Sequence, residues 1–188
     1  MNDEQYKKIE LAFRNSTSGD ELFDSFGEAL KSNILDFDLY KILLANPSLT
    51  TDEIKMYTEK LLRVAEQNSY QILMWTGKIF ESRSNSFMHP DEPINYYERA
   101  IKAQPAECDP LINLLKLFNY EVETESNKKI LSLIKKHIEG IYTKSRVYYA
   151  LSNLYKRCGN ITVSSKYMAL AEKAAESERK NLSNNILL

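Results

Sequence analysis

Apolar residues recur every three or four positions along most of the chain, which is the spacing of one face of an α-helix. Near the start, Tyr6, Ile9 and Phe13 keep this spacing, and residues 15–19 interrupt it. Similar stretches follow up to about residue 66. None of them alternates between apolar and polar residues as a half-buried strand does. The first third of the chain is therefore predicted to be helix after helix.

Two candidate capping boxes mark helix starts in this part. Ser18 is followed by Glu21, and Thr50 by Glu53, so each pair offers a side-chain acceptor at the N-cap and a carboxylate three residues later. A third helix is predicted over residues 36–45, before Asn46 and Pro47 stop it. The apolar positions expected in the core are Leu22, Phe26, Leu30, Leu39, Ile42, Leu43, Ile54, Leu61 and Ala65.

The second half carries an internal repeat of two helices. The three first helices are predicted over residues 73–80, 111–118 and 148–155, and each ends on an aromatic residue: Phe80, Phe118 and Tyr155. These aromatic residues are 38 and 37 positions apart. The second helices match at Tyr97, Ile134 and Met168 and at Ala100, His137 and Ala171. Length varies within each pair, in the turns over residues 81–90, 119–126 and 159–160.

These segments resemble the tetratricopeptide repeat, in which W-x2-L-G-x2-Y is followed by A-x3-F and a closing Pro. Residues 148–176 fit this pattern best, with Gly159 and Asn160 at the tight turn and with Ser152 and Ser164 at positions of small residues. Residues 96–105, which end on Pro105, look like the second helix of such a repeat. The middle repeat departs most from the pattern.

The resemblance implies an all-α fold: a right-handed superhelical stack of antiparallel helix pairs (a TPR-like α-solenoid) with about nine to ten helices. We expect three repeats over residues 67–176 and divergent hairpins over residues 1–66 that cap the stack. Residues 177–188 are expected to form a helical extension and a frayed tail. The whole would be one continuous domain.

Composition and charge exclude several classes of protein. Of the 188 residues, 43% are hydrophobic and 27% charged, which is ordinary for a globular chain. The net charge of −1 argues against a nucleic-acid partner. No apolar run has the length of a signal peptide core at the start or approaches about 18 residues later. We therefore expect a cytoplasmic protein with no membrane association.

No motif for catalysis, for a cofactor or for a metal is found. The imidazoles are limited to His89, in a turn, and His137, which falls at a helix-packing position and is expected in the core. Cys108 and Cys158 lack CxxC spacing and are expected to be unpaired, buried thiols. The glycines do not form a phosphate-binding loop, and no cluster has the ligand spacing of zinc. The chain is therefore expected not to be an enzyme.

In tetratricopeptide stacks the first helix of each pair lines a concave groove where ligands lie. The resemblance carries the groove positions to Gln71, Met74, Lys78 and Glu81, then Asp109, Ile112, Lys116 and Asn119, then Arg146, Tyr149, Asn153, Lys156 and Arg157. Five of these residues are basic and two are acidic. The predicted binding residues are Lys78, Lys116, Asn119, Arg146, Tyr149, Asn153, Lys156 and Arg157.

A basic groove attracts anionic ligands, most simply an acidic peptide. The leading hypothesis is a non-catalytic module, adaptor or chaperone-like, that binds a protein or peptide. Solvated helix faces without a ligand are an equally open interpretation. An RNA-associated protein is an alternative, because residues 96–105 also resemble half-a-tetratricopeptide repeats. An enzyme with a site in the N-terminal half is a further one. The sequence leaves the oligomeric state open.

Overall fold

The computed structural model describes residues 3–83 and 90–186, with side chains described up to residue 181. Contacts divide the chain into two compact units, Met1–Ile79 and Phe80–Leu188. Phe87, Met88, His89, Leu187 and Leu188 lie outside the described residues.

Within those ranges the regular structure is all-helical, with ten α-helices and no strand, which confirms the predicted all-α class and the helix count. The α-helices are α1 (Asp3–Asn15), α2 (Gly19–Lys31), α3 (Phe37–Ala45), α4 (Thr51–Val64), α5 (Ser69–Arg83), α6 (Asp91–Ala103), α7 (Asp109–Lys116), α8 (Glu125–His137), α9 (Lys144–Arg157) and α10 (Ile161–Ile186). Short 3-10 turns lie at Glu66–Asn68 and Ile138–Gly140.

Of the two predicted capping boxes, one is complete and the other is half-formed. At α4, Thr50 N donates to Glu53 Oε2 at 2.7 Å and Glu53 N donates to Thr50 Oγ1 at 3.2 Å, as predicted. At α2, Ser18 Oγ accepts from Glu21 N at 3.4 Å, but the Glu21 carboxylate accepts from Ser16 Oγ instead, at 2.6 Å. The predicted return bond to Ser18 is wrong because the Ser18 N–H donates to Ser16 Oγ at 3.1 Å instead.

The core of the first unit is an aromatic cluster. The Phe26 ring lies 4.8 Å from that of Tyr57 and 5.9 Å from that of Tyr40, both in edge-to-face geometry. Phe13 is fully buried beside Tyr40. Of the predicted core positions, Leu22, Phe26, Leu39, Leu43, Ile54, Leu61 and Ala65 are buried, while Leu30 and Ile42 are half-buried.

Buried polar contacts fix the helices of the first unit. Asn46, 3% exposed, donates from Nδ2 to the carbonyl oxygens of Phe13 and Ser16, both at 2.9 Å. The hydroxyls of Thr58 and Thr76 lie 3.1 Å apart with no exposure of either residue. A buried amide or hydroxyl with its partners present favours one arrangement of helices, because any other arrangement leaves the group unbonded.

In the second unit the repeat positions are mostly buried: Tyr97, Ala100, Leu111, Leu114, Ile130, Ile134, Leu151, Ser152, Ser164 and Ala171. A matching hydroxyl contact lies between α9 and α10, where Ser152 Oγ donates to the Ser164 carbonyl at 2.9 Å. The tight turn between them forms at Gly159, whose φ of +76° favours glycine. Helix α10 continues without a break through Ser177 to Ile186.

Three local predictions in the second unit are wrong. Helix α7 ends at Lys116, two residues before Phe118, which is buried beyond its end. His137 is half-buried, because α8 ends there and the following turn buries Ile138 instead. Cys158 is exposed, because it caps the end of α9 at the tight turn, whereas Cys108 is buried as predicted. Both thiols are free.

Candidate functional site

Helices α7 and α9 lie side by side and run in the same direction. Near their starts, Arg146 Nη2 lies 3.0 Å from Asp109 Oδ1. Near their ends, the Arg157 guanidinium carbon lies 3.8 Å from the centre of the Tyr120 ring. Both pairs are 37 residues apart in the sequence; the first joins the starts of the two helices, and the second joins the end of α9 to the loop that follows α7.

Two further pairs of predicted groove positions, Ile112 with Tyr149 and Lys116 with Asn153, have the same spacing of 37 residues in the sequence. We call the surface that these helices and the following residues expose the basic face. Its members are the predicted binding residues of the second unit: Lys116, Asn119, Arg146, Tyr149, Asn153, Lys156 and Arg157.

Six of these seven side chains are exposed, and Tyr149 is 54% exposed. Asn119 is half-buried, and its Oδ1 accepts hydrogen bonds from the backbone N–H groups of Glu121 and Val122 at 2.9 and 3.2 Å. Asn119 therefore holds the loop after α7 and presents little of itself to a ligand. Lys78 is exposed on α5 in the first unit.

The cations of the basic face differ in whether they have an acidic partner. Arg146 is paired with Asp109, as described above. Lys116 donates to Asn113 Oδ1 at 2.9 Å, a neutral acceptor, and Arg157 lies over Tyr120. Within the described residues, Lys116, Lys156 and Arg157 form no ion pair. Three uncompensated cations on one surface produce a local positive potential on a chain whose net charge is −1.

Arg146 is held by a contact that the sequence does not indicate. Cys108 Sγ accepts hydrogen bonds from Arg146 Nη1 and from Thr143 Oγ1, both at 3.1 Å. Cys108 is 2% exposed and occupies the N-cap of α7. Together with Asp109, the sulfur fixes the guanidinium at the starts of α7 and α9. Arg146 thus joins the two helices, and much of its hydrogen-bonding capacity is already used.

The first unit has a surface pocket of about 560 Å³ among α1, α3 and α5. Trp75 lines it and donates from Nε1 to the Lys41 carbonyl at 3.1 Å. Lys41 Nζ pairs with Asp38 at 2.5 Å, and Arg14 pairs with Glu10 at 2.7 Å. Trp75 lies within the first helix predicted for the repeat, over residues 73–80. Its place in a pocket depends on α1 and α3, and no pattern in the sequence points to it.

A second pocket of the first unit, about 670 Å³, lies between α1 and α2. This pocket bears on the alternative of an enzyme with a site in the N-terminal half, because polar side chains form part of its lining. Lys8 pairs with Glu28 at 3.4 Å and Ser16 donates to Glu21 at 2.6 Å, so these groups are bonded to each other. Such contacts link the two helices.

Two further observations concern cofactors and membranes. In the described part of the chain, no three His, Cys, Asp or Glu side chains are grouped so that they could hold a metal ion. No helix among the described residues is both long and apolar enough to cross a membrane.

Comparison of the chain with models of known protein families, with curated proteins and with solved structures finds no match in any of the three.

Proposed function

We propose that the protein is a non-catalytic protein-interaction module, a TPR-like stack of helix pairs that binds an acidic segment of a partner on its basic face. One observation carries the proposal. Helices α7 and α9 lie against each other, joined at their starts by Arg146 and Asp109, and they expose Lys116, Lys156 and Arg157 without an acidic partner among the described residues. A cytoplasmic location is part of the same proposal.

The pattern of helix contacts supports a stack. In the first unit, α1 contacts α2 and α3, and α3 contacts α4. In the second unit, α6 contacts α7 and α8, and α7 contacts α8 and α9. Contacts to the next helix and to the one after it are typical of repeated hairpins, in which each repeat packs against its neighbours.

The chemistry of the basic face favours an acidic peptide. Lysine and arginine side chains attract carboxylates and raise the rate of encounter. Tyr149, which is 54% exposed, offers an apolar surface for one side chain of the ligand, and Tyr is enriched in protein interfaces. Asn153, exposed on the same helix, can donate to and accept from the backbone of an extended chain.

The proposal is tested by a pull-down from native lysate at low and high salt with the double variant Lys116→Glu, Arg157→Glu. The control variant is Lys136→Glu, Lys173→Glu, which reverses two exposed charges of the same unit outside the basic face. We expect wild type and control to retain a protein partner. The first variant should retain about tenfold less, since reversed charges repel an acidic ligand.

Circular dichroism must show the same helix content in all three proteins. Equal retention by the three proteins would show that the basic face is not the binding site. If the retained material disappears on ribonuclease treatment and its binding falls steeply with salt, the partner is RNA and the alternative replaces the proposal.

A further inference from the structure

A cavity of about 520 Å³ opens between α8, α9 and α10 in the second unit. None of the basic-face residues lines it. Its apolar lining comes from Leu131, Ile134, Ile138, Leu151 and Leu170. This volume lies in the range of about 300–1,000 Å³ that is common for ligand pockets. The cavity is therefore a feature of α9 separate from its basic face.

One wall of the cavity is a stack of three tyrosines. The ring of Tyr167 lies 5.4 Å from that of Tyr155, with an angle of 8° between the planes. It lies 6.2 Å from the ring of Tyr148 at 28°. Each ring limits the rotation of its neighbours, so the wall is preorganised for an apolar side chain and loses little entropy on binding.

The charged residues of the lining are two lysines and one glutamate. Glu139 is paired with Lys144 at 2.7 Å, and its other oxygen accepts from the Tyr148 hydroxyl at 3.4 Å. Lys135 on α8 and Lys166 on α10 are exposed and form no ion pair within the described residues. An apolar floor thus carries two uncompensated positive charges from two different helices.

We propose that this cavity is a second docking site, which takes a large apolar side chain of a partner segment whose flanking residues are acidic. The apolar side chain replaces water against the leucines, isoleucines and tyrosines. The flanking carboxylates meet Lys135 and Lys166, whose charges select against basic segments. The inference uses residues that the basic face does not contain, so either site can fail without the other.

The test measures fluorescence anisotropy of defined peptides against the full chain at low salt. The first probe, the acidic leucine peptide, is a fluorescein-labelled helical peptide with two leucines four positions apart among glutamates. The second probe has serine at both leucine positions, and the third has lysine at every glutamate position. We expect the first probe to bind at least about tenfold more tightly than the other two, because it alone supplies both kinds of contact.

Three double variants locate the binding of the acidic leucine peptide. In Lys135→Glu, Lys166→Glu we expect about tenfold weaker binding. The matched control Lys136→Glu, Lys173→Glu alters the same two helices outside the cavity lining and should stay within about twofold of wild type. The milder Lys135→Gln, Lys166→Gln keeps the test valid if the glutamate variant loses helix content. It should give about threefold weaker binding, since it removes attraction without adding repulsion.

The cavity site is wrong if Lys135→Glu, Lys166→Glu binds the acidic leucine peptide as wild type does, or if the serine probe binds equally well. Binding lost only in Lys116→Glu, Arg157→Glu would place the peptide on the basic face. That result supports the proposed function and overturns the cavity site. Binding lost only in Lys135→Glu, Lys166→Glu would support the cavity site and would show that the peptide does not bind the basic face.

Discussion

The cations that border a pocket in the first unit differ in their partners from two cations of the basic face. In the first unit, Arg14 and Lys41 are each paired with an acid on their own helix. In the second unit, Lys116 and Arg157 have a neutral amide and an aromatic ring as their nearest partners. An ion pair within one helix cancels most of the field that a ligand would feel. The acidic segment proposed above should therefore be attracted more strongly to Lys116 and Arg157 than to Arg14 and Lys41.

Two contacts fix helices in different ways. In the first unit, the buried amide of Asn46 bonds the carbonyl of Phe13 in α1 and that of Ser16 just after it. In the second unit, an exposed ion pair and a buried sulfur fix the starts of α7 and α9. Buried amides are costly to remove, whereas exposed pairs contribute little. We therefore expect a substitution at Asn46 to affect stability more than one at Asp109, and a substitution at Asp109 to affect binding more.

The largest effect is expected from Asn46→Asp. The carboxylate would lose both donors and face the carbonyl oxygens of Phe13 and Ser16, which would then lie buried and unbonded. We expect a loss of about 3 kcal/mol in the free energy of unfolding. Urea denaturation followed by circular dichroism measures it. The exposed Asn153→Asp serves as control, with a change below about 0.5 kcal/mol. A small loss in the free energy of unfolding of Asn46→Asp would contradict the expectation that this buried amide stabilises the fold more than the exposed pair does.

A smaller effect is expected at the two hydroxyl contacts. Thr58→Val or Thr76→Val alone leaves one buried hydroxyl without this partner and should cost about 1–2 kcal/mol. The double variant should cost less than the sum of the two, because no hydroxyl then remains unbonded.

The same urea denaturation cycle applies to Ser152→Ala and Ser164→Ala between α9 and α10. There we expect a similar coupling, because one hydroxyl of each pair keeps a backbone carbonyl as acceptor: Ser152 keeps that of Ser164, and Thr76 keeps that of Ile72 at 2.9 Å. Unequal coupling in the two cycles would show that the two contacts do not act in the same way.

A modest change in binding is expected from Asp109→Asn. This substitution removes the acidic partner of Arg146 and adds positive charge to the basic face. We expect about two- to threefold tighter binding of the acidic leucine peptide, measured by anisotropy in the Lys135→Glu, Lys166→Glu background, which isolates this face. Glu172→Gln, an exposed acid on α10, is the charge-matched control. The matching variant of the first unit, Asp38→Asn, removes the acidic partner of Lys41. An equal gain in peptide affinity in that variant would contradict the difference between the cations of the two units.

The smallest effect is the dependence of stability on pH. It concerns the second unit, because both histidines follow residue 79. Burial, and then the neighbouring Lys136, lower the pKa of His137. The unfolded chain therefore takes up this proton first as the pH falls through about 6.5, and the folded state loses stability over that range.

Because the His137 side chain is only half-buried, the loss should be below about 0.5 kcal/mol. Wild type should lose slightly more stability than His137→Gln between about pH 7.5 and pH 5, in urea denaturation at each pH. An equal loss in the two proteins would show that His137 is not the group responsible.

Local patterns predicted most of the helices, and they failed where a neighbour competes. Thr50 and Glu53 form the expected capping box because both partners lie within one turn. At Ser18 the same pattern is only half-formed, because Ser16 takes the Glu21 carboxylate. His137 and Cys158 show the same limit. Periodicity placed His137 on a packing face, and Cys158 was expected to be buried as an unpaired thiol, but both stand at helix ends, where the chain changes direction.

Part of the arrangement around α7 and α9 follows a spacing in the sequence. Phe118 and Tyr155 of the repeat are 37 residues apart, and so are the residues of the Arg146–Asp109 and Arg157–Tyr120 contacts. The partners of the candidate site residues were not predictable. Cys108 Sγ accepts a hydrogen bond from Arg146, and Asn113 Oδ1 accepts one from Lys116. Asn119 Oδ1 accepts one from the backbone of its own loop. Each of these contacts depends on side-chain positions that a spacing does not give.

The sequence by itself determined the all-helical fold, the number of helices and the faces that become buried, because apolar periodicity and capping residues act over a few positions. Only the tertiary structure decided which cations keep their charge uncompensated, that Asn46 links α3 to α1, and that Tyr148, Tyr155 and Tyr167 form one wall of a cavity. The physical reason is distance along the chain. Hydrogen bonds, ion pairs and ring stacks depend on atoms a few ångströms apart, and packing brings together residues that lie tens of positions apart in the sequence.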